Sequence, residues 1–200
     1  MSDKLFKMKL EHMHPLEAGI YINAYNELPI FKELNLTPNH ITTISVFFGI
    51  ISLYNLWKGN AILAIIFSYI SYYYDCMDGL YARKYDMVTQ FGDYYDHITD
   101  ALQYGLYIYI LIHKYKLLDY KLFVGLIGIQ YILVNIYLGC VEKIYTSEST
   151  STLIKLRKMC VFNPHKNIKI LKYFSGINNL LLLYVITYYL FKKKVTKIPF

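Results

Sequence analysis

The sequence predicts an all-α integral membrane protein: a bundle of five or six transmembrane helices preceded by an amphipathic segment. Three observations carry that prediction. Of 200 residues, 56% are hydrophobic and only 18% charged, where a soluble domain carries about a quarter charged. The apolar residues are gathered into long runs rather than spread at amphipathic spacing, as helices that cross a bilayer require. Lysine and arginine fall between and beside those runs, where they meet anionic headgroups. That placement removes the nucleic-acid partner that a net charge of +7 would otherwise suggest.

Residues 1–36 alternate charge with Leu, Ile, Phe and Tyr and contain no run long enough to cross, so they read as a surface-lying amphipathic, juxtamembrane segment. The opening MSDKLFKMKLEHMH lacks the apolar core of a cleavable signal peptide, and the first span is expected to direct insertion. Residues 37–191 form the transmembrane domain and 192–200 a basic tail. Thr37-Pro38-Asn39 has the form of a helix start, with Thr as cap and Pro at the first helical position. A first span follows over His40–Trp57, closed by the turn Lys58-Gly59-Asn60. The second runs from Ala61 to about Ala82, the third from about Gln90 to Ile112, the fourth from about Leu122 to Val141, and the last from about Tyr173 to Phe191. Residues 142–171 are mixed and basic. Five spans place Arg83, Lys84 and this basic stretch on one side, cytoplasmic by the positive-inside rule, but send Lys192–Lys194 to the other. A sixth, interrupted crossing within 142–171 would remove that conflict.

Cysteine is present three times, at Cys76, Cys140 and Cys160. An odd count without CxxC spacing predicts neither a disulfide framework nor a zinc site. The histidines His12, His14, His40, His113 and His165 read as interfacial, and the 23 tyrosines fit an aromatic belt near the headgroups.

The second and third spans carry the chemistry. DCMDGLYAR is followed, eight residues on, by GDYYDHITD. Asp75, Asp78, Gly79 and Ala82 are spaced 0, 3, 4 and 7, one face of a helix; Gly92, Asp96 and Asp100 are spaced 0, 4 and 8, again one face. With a short link, the two helices should lie side by side and antiparallel, Asp78 level with Asp96 and Ala82 against Gly92. Four carboxylates would then share one place inside the membrane boundary. A single Asp at a helix centre costs roughly 2.5–3.5 kcal/mol on insertion scales, and close like charges repel one another. Divalent cations answer both difficulties. An all-oxygen ligand set favours Mg²⁺, Mn²⁺ or Ca²⁺ over zinc, and Mg²⁺ in particular is bound by a few carboxylates with substrate phosphates.

The run D-x2-D-G-x2-A-R-x8-G-x3-D-x3-D resembles the signature of CDP-alcohol phosphotransferases (CDP-alcohol phosphatidyltransferases of class I), with every signature position kept. Thr37-Pro38-Asn39 and Thr42 extend the resemblance more weakly. The resemblance implies a phospholipid-synthesising transferase that moves a phosphate-linked group from a CDP-activated donor to an alcohol and releases CMP. It implies Asp75, Asp78 and Asp96 as ligands of Mg²⁺ or Mn²⁺, and Asp100 as the base that takes the proton of the attacking hydroxyl. Gly79, Ala82 and Gly92 would lie against the cytidine nucleotide, and Arg83 would either clamp a phosphate or snorkel to the headgroups. A homodimer in a membrane, with the active site toward the cytoplasm, is the family expectation.

Two donor classes within the resemblance compete. In one, CDP-choline or CDP-ethanolamine gives its headgroup to diacylglycerol. In the other, CDP-diacylglycerol gives its phosphatidyl group to a polar alcohol such as inositol, serine or glycerol phosphate. His97, directly after Asp96, resembles the members that transfer choline or ethanolamine phosphate from CDP-choline or CDP-ethanolamine to diacylglycerol, and as a second proton acceptor it would suit that reaction. Ala101 replaces the basic residue that tends to follow the fourth aspartate in enzymes joining CDP-diacylglycerol to inositol or glycerol phosphate. The short chain argues the other way, and the reading favours the aminoalcohol class narrowly. Outside the class stand an intramembrane prenyltransferase, which lacks the DG-x2-AR spacing, a carboxylate transporter and an inactive homologue.

Overall fold

The computed structural model describes residues 6–145, 152–161 and 163–195. These form seven α-helices: α1 (Pro15–Glu33), α2 (Pro38–Lys58), α3 (Ala61–Lys84), α4 (Gln90–Tyr115), α5 (Lys121–Tyr145), α6 (Pro164–Leu171) and α7 (Gly176–Val195). No strand occurs among the described residues. Between α5 and α6 a 3₁₀ segment covers Thr152–Met159, called the strap below.

Local chemistry sets the boundaries. Pro38 opens α2, and His40 accepts from the Thr37 backbone N–H at 3.1 Å. Gly59 ends the helix at φ 96°, a left-handed conformation glycine reaches without a Cβ clash. Thr89 caps α4 by accepting from the Gly92 N–H at 3.0 Å.

Five helices (α2, α3, α4, α5 and α7) run 20 to 26 residues, long enough to cross a bilayer at ~1.5 Å per residue. The stretches Pro38–Lys58, Lys121–Tyr145 and Pro164–Lys194 also meet that requirement by apolar composition; α3 and α4 have the length but carry the aspartates. No described helix between 146 and 175 exceeds eight residues. α1 packs along α3, burying Ala24 and Leu28 against Ile41, Met77, Leu80 and Tyr81.

α2 is the backbone of the assembly, lying along both α3 and α4, whereas the backbones of α3 and α4 make few close approaches. Those two helices meet through side chains, as at Ser71 Oγ and Gln103 Oε1, 3.1 Å apart. The end away from the aspartates is closed by a core of Leu56, Ala64, Tyr107, Leu111 and Ile186. α7 contacts α3, α4 and α5 and completes the ring. Its start is held by Glu17 of α1, which accepts from the Ile177 N–H at 3.1 Å and from the Tyr72 hydroxyl at 2.7 Å. A carboxylate at a helix N-terminus satisfies free N–H groups and opposes the dipole.

Two sequence expectations do not hold. Cys140 and Cys160 form a disulfide, with Cα atoms 5.1 Å apart, leaving Cys76 as the buried free thiol. An odd cysteine count hid a pair that the fold brings together from 20 residues apart. His12 is buried rather than interfacial: its Nδ1 meets the Tyr145 hydroxyl, its carbonyl accepts from Tyr137 at 3.1 Å, and burial lowers its pKa.

Candidate active site

Asp75 and Asp78 project from the last third of α3, Asp96 from the second turn of α4. One carboxylate oxygen from each lies within 4.8 Å of the others. These side chains meet in the space between the two helices. Asp78 is buried, and the Thr42 hydroxyl of α2 donates to its Oδ2 at 2.5 Å. Asp96 Oδ1 is also buried, with no hydrogen-bond partner among the described residues. Three carboxylates this close, one with a buried oxygen lacking a partner, fit a divalent ion.

Asp100 lies one turn further along α4. Asp75 sits beside both Asp96 and Asp100, so the fourth aspartate joins the cluster at its inner edge without belonging to the tight triplet.

Outward from the triplet, a cavity of about 200 Å³ opens at the helix ends. Gly79, Ala82, Arg83, Gly92 and His97 all line it, together with Asp75, Asp78 and Asp96. Arg83 folds back over Gly79: a Cβ there would stand 3.2 Å from Arg83 Nη1. The guanidinium thus faces the cavity instead of snorkelling outward, and the glycine makes room for it. Gly92 does not meet Ala82 as its spacing suggested. Its open face looks onto Asn39 Oδ1 and Thr89 Oγ1, which a Cβ would approach to 3.2 and 3.1 Å.

His97 Nδ1 bonds the Asp93 carbonyl at 2.7 Å, lies 3.4 Å from Asp93 Oδ1, and lies 3.2 Å from Thr152 Oγ1 on the strap. Thr152 also donates its N–H to Asp93 Oδ2 at 3.0 Å. The strap is therefore tied to Asp93 and His97, two residues of the cavity wall. It is pinned behind by the disulfide, by Arg157 Nε donating to the Glu142 carbonyl at 3.0 Å, and by Lys143 donating to the Cys160 carbonyl at 3.1 Å.

On the inner side of the aspartates a second cavity, about 220 Å³, lies among α2, α3, α4 and α7. Asp75 borders both spaces, and Asp100 borders only the inner one.

Sequence reading missed several lining residues. Lys7, which lines the outer cavity and pairs with the fully buried Glu142 at 3.0 Å, comes from a segment that carries no motif. Gln103 and Asn179 in the inner cavity stand on helix faces that looked like ordinary span. Buried polar residues in otherwise apolar runs were the available signal.

No solved structure matches the chain. Among curated proteins, an archaetidylinositol phosphate synthase from Pyrococcus horikoshii is 33% identical over 70 residues, 35% of this chain. That match spans 37% of the relative's length. The family model for CDP-alcohol phosphatidyltransferases matches residues 35–198, which takes in the aspartate cluster, the inner cavity and helices α2 to α7, and the chain belongs to that family.

Proposed function

We propose that the protein transfers a phosphate-linked group from a CDP-activated donor to an alcohol, releasing CMP, at the aspartate cluster. The observation that carries this reading is the triplet of carboxylate oxygens within 4.8 Å beside a cavity lined by Arg83 and Lys7. A pyrophosphate suits that combination. Asp75, Asp78 and Asp96 would hold one or two Mg²⁺ or Mn²⁺ ions. When bound, the metal neutralises the pyrophosphate and the departing CMP.

The chain's own residues supply the rest. Arg83 is placed to hold a phosphate oxygen, and a guanidinium does so in a fork geometry. Gly79, Ala82 and Gly92 leave room for the nucleotide close to the helix backbone. Asp100, at the inner edge, takes the proton as the alcohol oxygen attacks the phosphorus distal to cytidine. The bond from that phosphorus to the CMP oxygen breaks, and CMP leaves with the electron pair. The site lies at the membrane face that holds Arg83, Lys84 and the basic stretch 142–171, a cytoplasmic face by charge.

For the donor, CDP-choline or CDP-ethanolamine with diacylglycerol remains the first reading, on His97 and Ala101. His97 would serve there as a positioning residue, since its Nδ1 is committed to Asp93 and the strap. The second reading, CDP-diacylglycerol with a polar alcohol, is supported by the archaetidylinositol phosphate synthase similarity.

The test is CMP release by purified protein in lipid with Mg²⁺ or Mn²⁺, offering each donor with its acceptors. Acceptor-dependent CMP from one pair is expected, abolished by EDTA and by Asp78→Asn in protein that still inserts and folds. CMP release unaffected by both would sink the metal assignment.

A further inference from the structure

The stretch before α1 reaches the outer cavity, although the family match begins only at residue 35. Lys7 lines that cavity with Arg83 and the three clustered aspartates, and its charge acts on Asp96. Its two chain neighbours fix where it stands. Phe6 is buried against Tyr21 and Tyr25 of α1, with ring centroids 6.5 and 6.2 Å away. Met8 accepts from the Tyr137 hydroxyl of α5 at 3.3 Å. Between these anchors Lys7 takes φ 62°. A residue with a Cβ rarely adopts that left-handed conformation and keeps it where its surroundings impose it, as at ligand clamps.

The ammonium is held as well. Lys7 Nζ lies 3.0 Å from Glu142 Oε1 of α5, and the Glu142 side chain is 1% exposed against 35% for Lys7. A carboxylate that deep is costly, and a well-packed apolar residue would serve stability as well or better. Phe6 and Met8 already seat the arm, so docking alone does not call for the pair. What the pair adds is direction. An ammonium has three donors; one turned to Glu142 leaves two for the cavity that Lys7 lines. Lysine binds phosphate as a compact point charge.

We propose that Lys7 is a substrate-binding residue whose ammonium, oriented by Glu142, takes a phosphate oxygen of the CDP donor at the aspartate cluster. Glu142 is the positioning residue, acting through Lys7. The segment around Lys7 is then a wall of the active site as well as a surface element, and the pyrophosphate is held from the N-terminal arm as well as from α3. This inference rests on the transferase reading.

The test uses the full chain with Mg²⁺ in lipid nanodiscs and the variants Lys7→Met, Lys7→Arg and Glu142→Gln. One arm supplies CDP-choline or CDP-ethanolamine with diacylglycerol, the other CDP-diacylglycerol with polar alcohols, phosphorylated ones included. In whichever arm turns over, Lys7→Met should raise KM for the CDP donor about ten- to a hundredfold, the weight of a hydrogen bond to a charged group. KM for the alcohol should not move, and Lys7→Arg should recover most of the loss. A rise confined to the KM of a phosphorylated alcohol would place the phosphate on the acceptor and overturn the proposal. Glu142→Gln should raise donor KM several-fold and add nothing on top of Lys7→Met, as expected of residues that act as one unit. Lys7→Met also takes the ammonium from a buried carboxylate, so its Tm should fall; adding Glu142→Gln relieves that, and Tm should recover while donor KM stays high. Donor KM recovering with Tm would show that Lys7 only fastens the arm and would overturn the proposal.

Equilibrium binding of CDP with Mg²⁺, measured against cytidine, reads the site without turnover. Lys7→Met should weaken CDP and leave cytidine, which has no phosphate, unchanged; equal weakening of both overturns the assignment. A donor that turns over with a KM indifferent to Lys7→Met removes this inference and keeps the transferase. Wild-type protein that binds no CDP and releases no CMP from any donor removes both.

Discussion

At the scale of single residues, the site depends on what holds the aspartates as much as on the aspartates themselves. Thr42 donates its one proton to Asp78 Oδ2 at 2.5 Å, with the Pro38 carbonyl 3.2 Å away as the weaker acceptor, so it ties a carboxylate of the cluster to the first turn of α2. Such supporting bonds typically carry 10- to 100-fold in activity. Thr42→Val keeps the shape and loses the hydroxyl; the expected outcome is a drop in transfer rate of about that size, checked by CMP release at saturating substrates. The apparent Mg²⁺ requirement should rise with it. The aspartates themselves were legible because ionisable residues inside apolar runs are costly, and a chain that keeps four of them at helical spacing uses them. The direction of Arg83 was not. Whether an arginine near a helix end turns inward or outward depends on the room beside it, and that room is Gly79.

At the scale of elements, periodicity told which residues share a face but not what that face meets. Positions 75, 78, 79 and 82 do lie together, and 92, 96 and 100 do as well. The short link suggested that the two faces press together; their carboxylates do meet, within 4.8 Å, while α2 packs along both helices and the two backbones make few close approaches. A pattern along one chain segment cannot report a third helix wedged behind it. The strap was equally hidden, since its grip comes from a disulfide and from a close approach at Gly139. A Cβ at Gly139 would stand 2.2 Å from the Leu156 carbonyl oxygen, a backbone contact that cannot swing aside. Gly139→Ala should therefore displace the strap and loosen Thr152 from Asp93 and His97. The expected result is a higher KM for the CDP donor and a Tm lowered by several degrees, as follows from roughly 1–3 kcal/mol of overpacking. An unchanged donor KM would mean that the strap does not cover the donor site.

At the scale of the whole molecule, five long helices place Phe6 and Val195, the ends of the described residues, at opposite ends of the bundle. α2 and α4 begin at the site end; α3 and α5 finish there; α7 starts there and carries Lys192–Lys194 away. The sequence conflict over those lysines is thus a property of the fold. On the far face Lys194 sits over the Tyr115 ring and Lys193 over Tyr120, where aromatic rings lower the cost of keeping cations at the interface. Epitope tags fused to the two ends should be reached from opposite sides of sealed vesicles. Equal accessibility would require an additional crossing within 142–171.

Among the described residues, Asp75 alone borders both cavities. If water-soluble and lipid-borne reactants meet across this one side chain, their products part across it too. CMP leaves toward water and the new phosphodiester stays with the bilayer. Separation into two phases at birth makes the reverse encounter rare, since both products would have to return through different doors and be present together. The partition that lets the reaction proceed would therefore be built into where a single carboxylate stands.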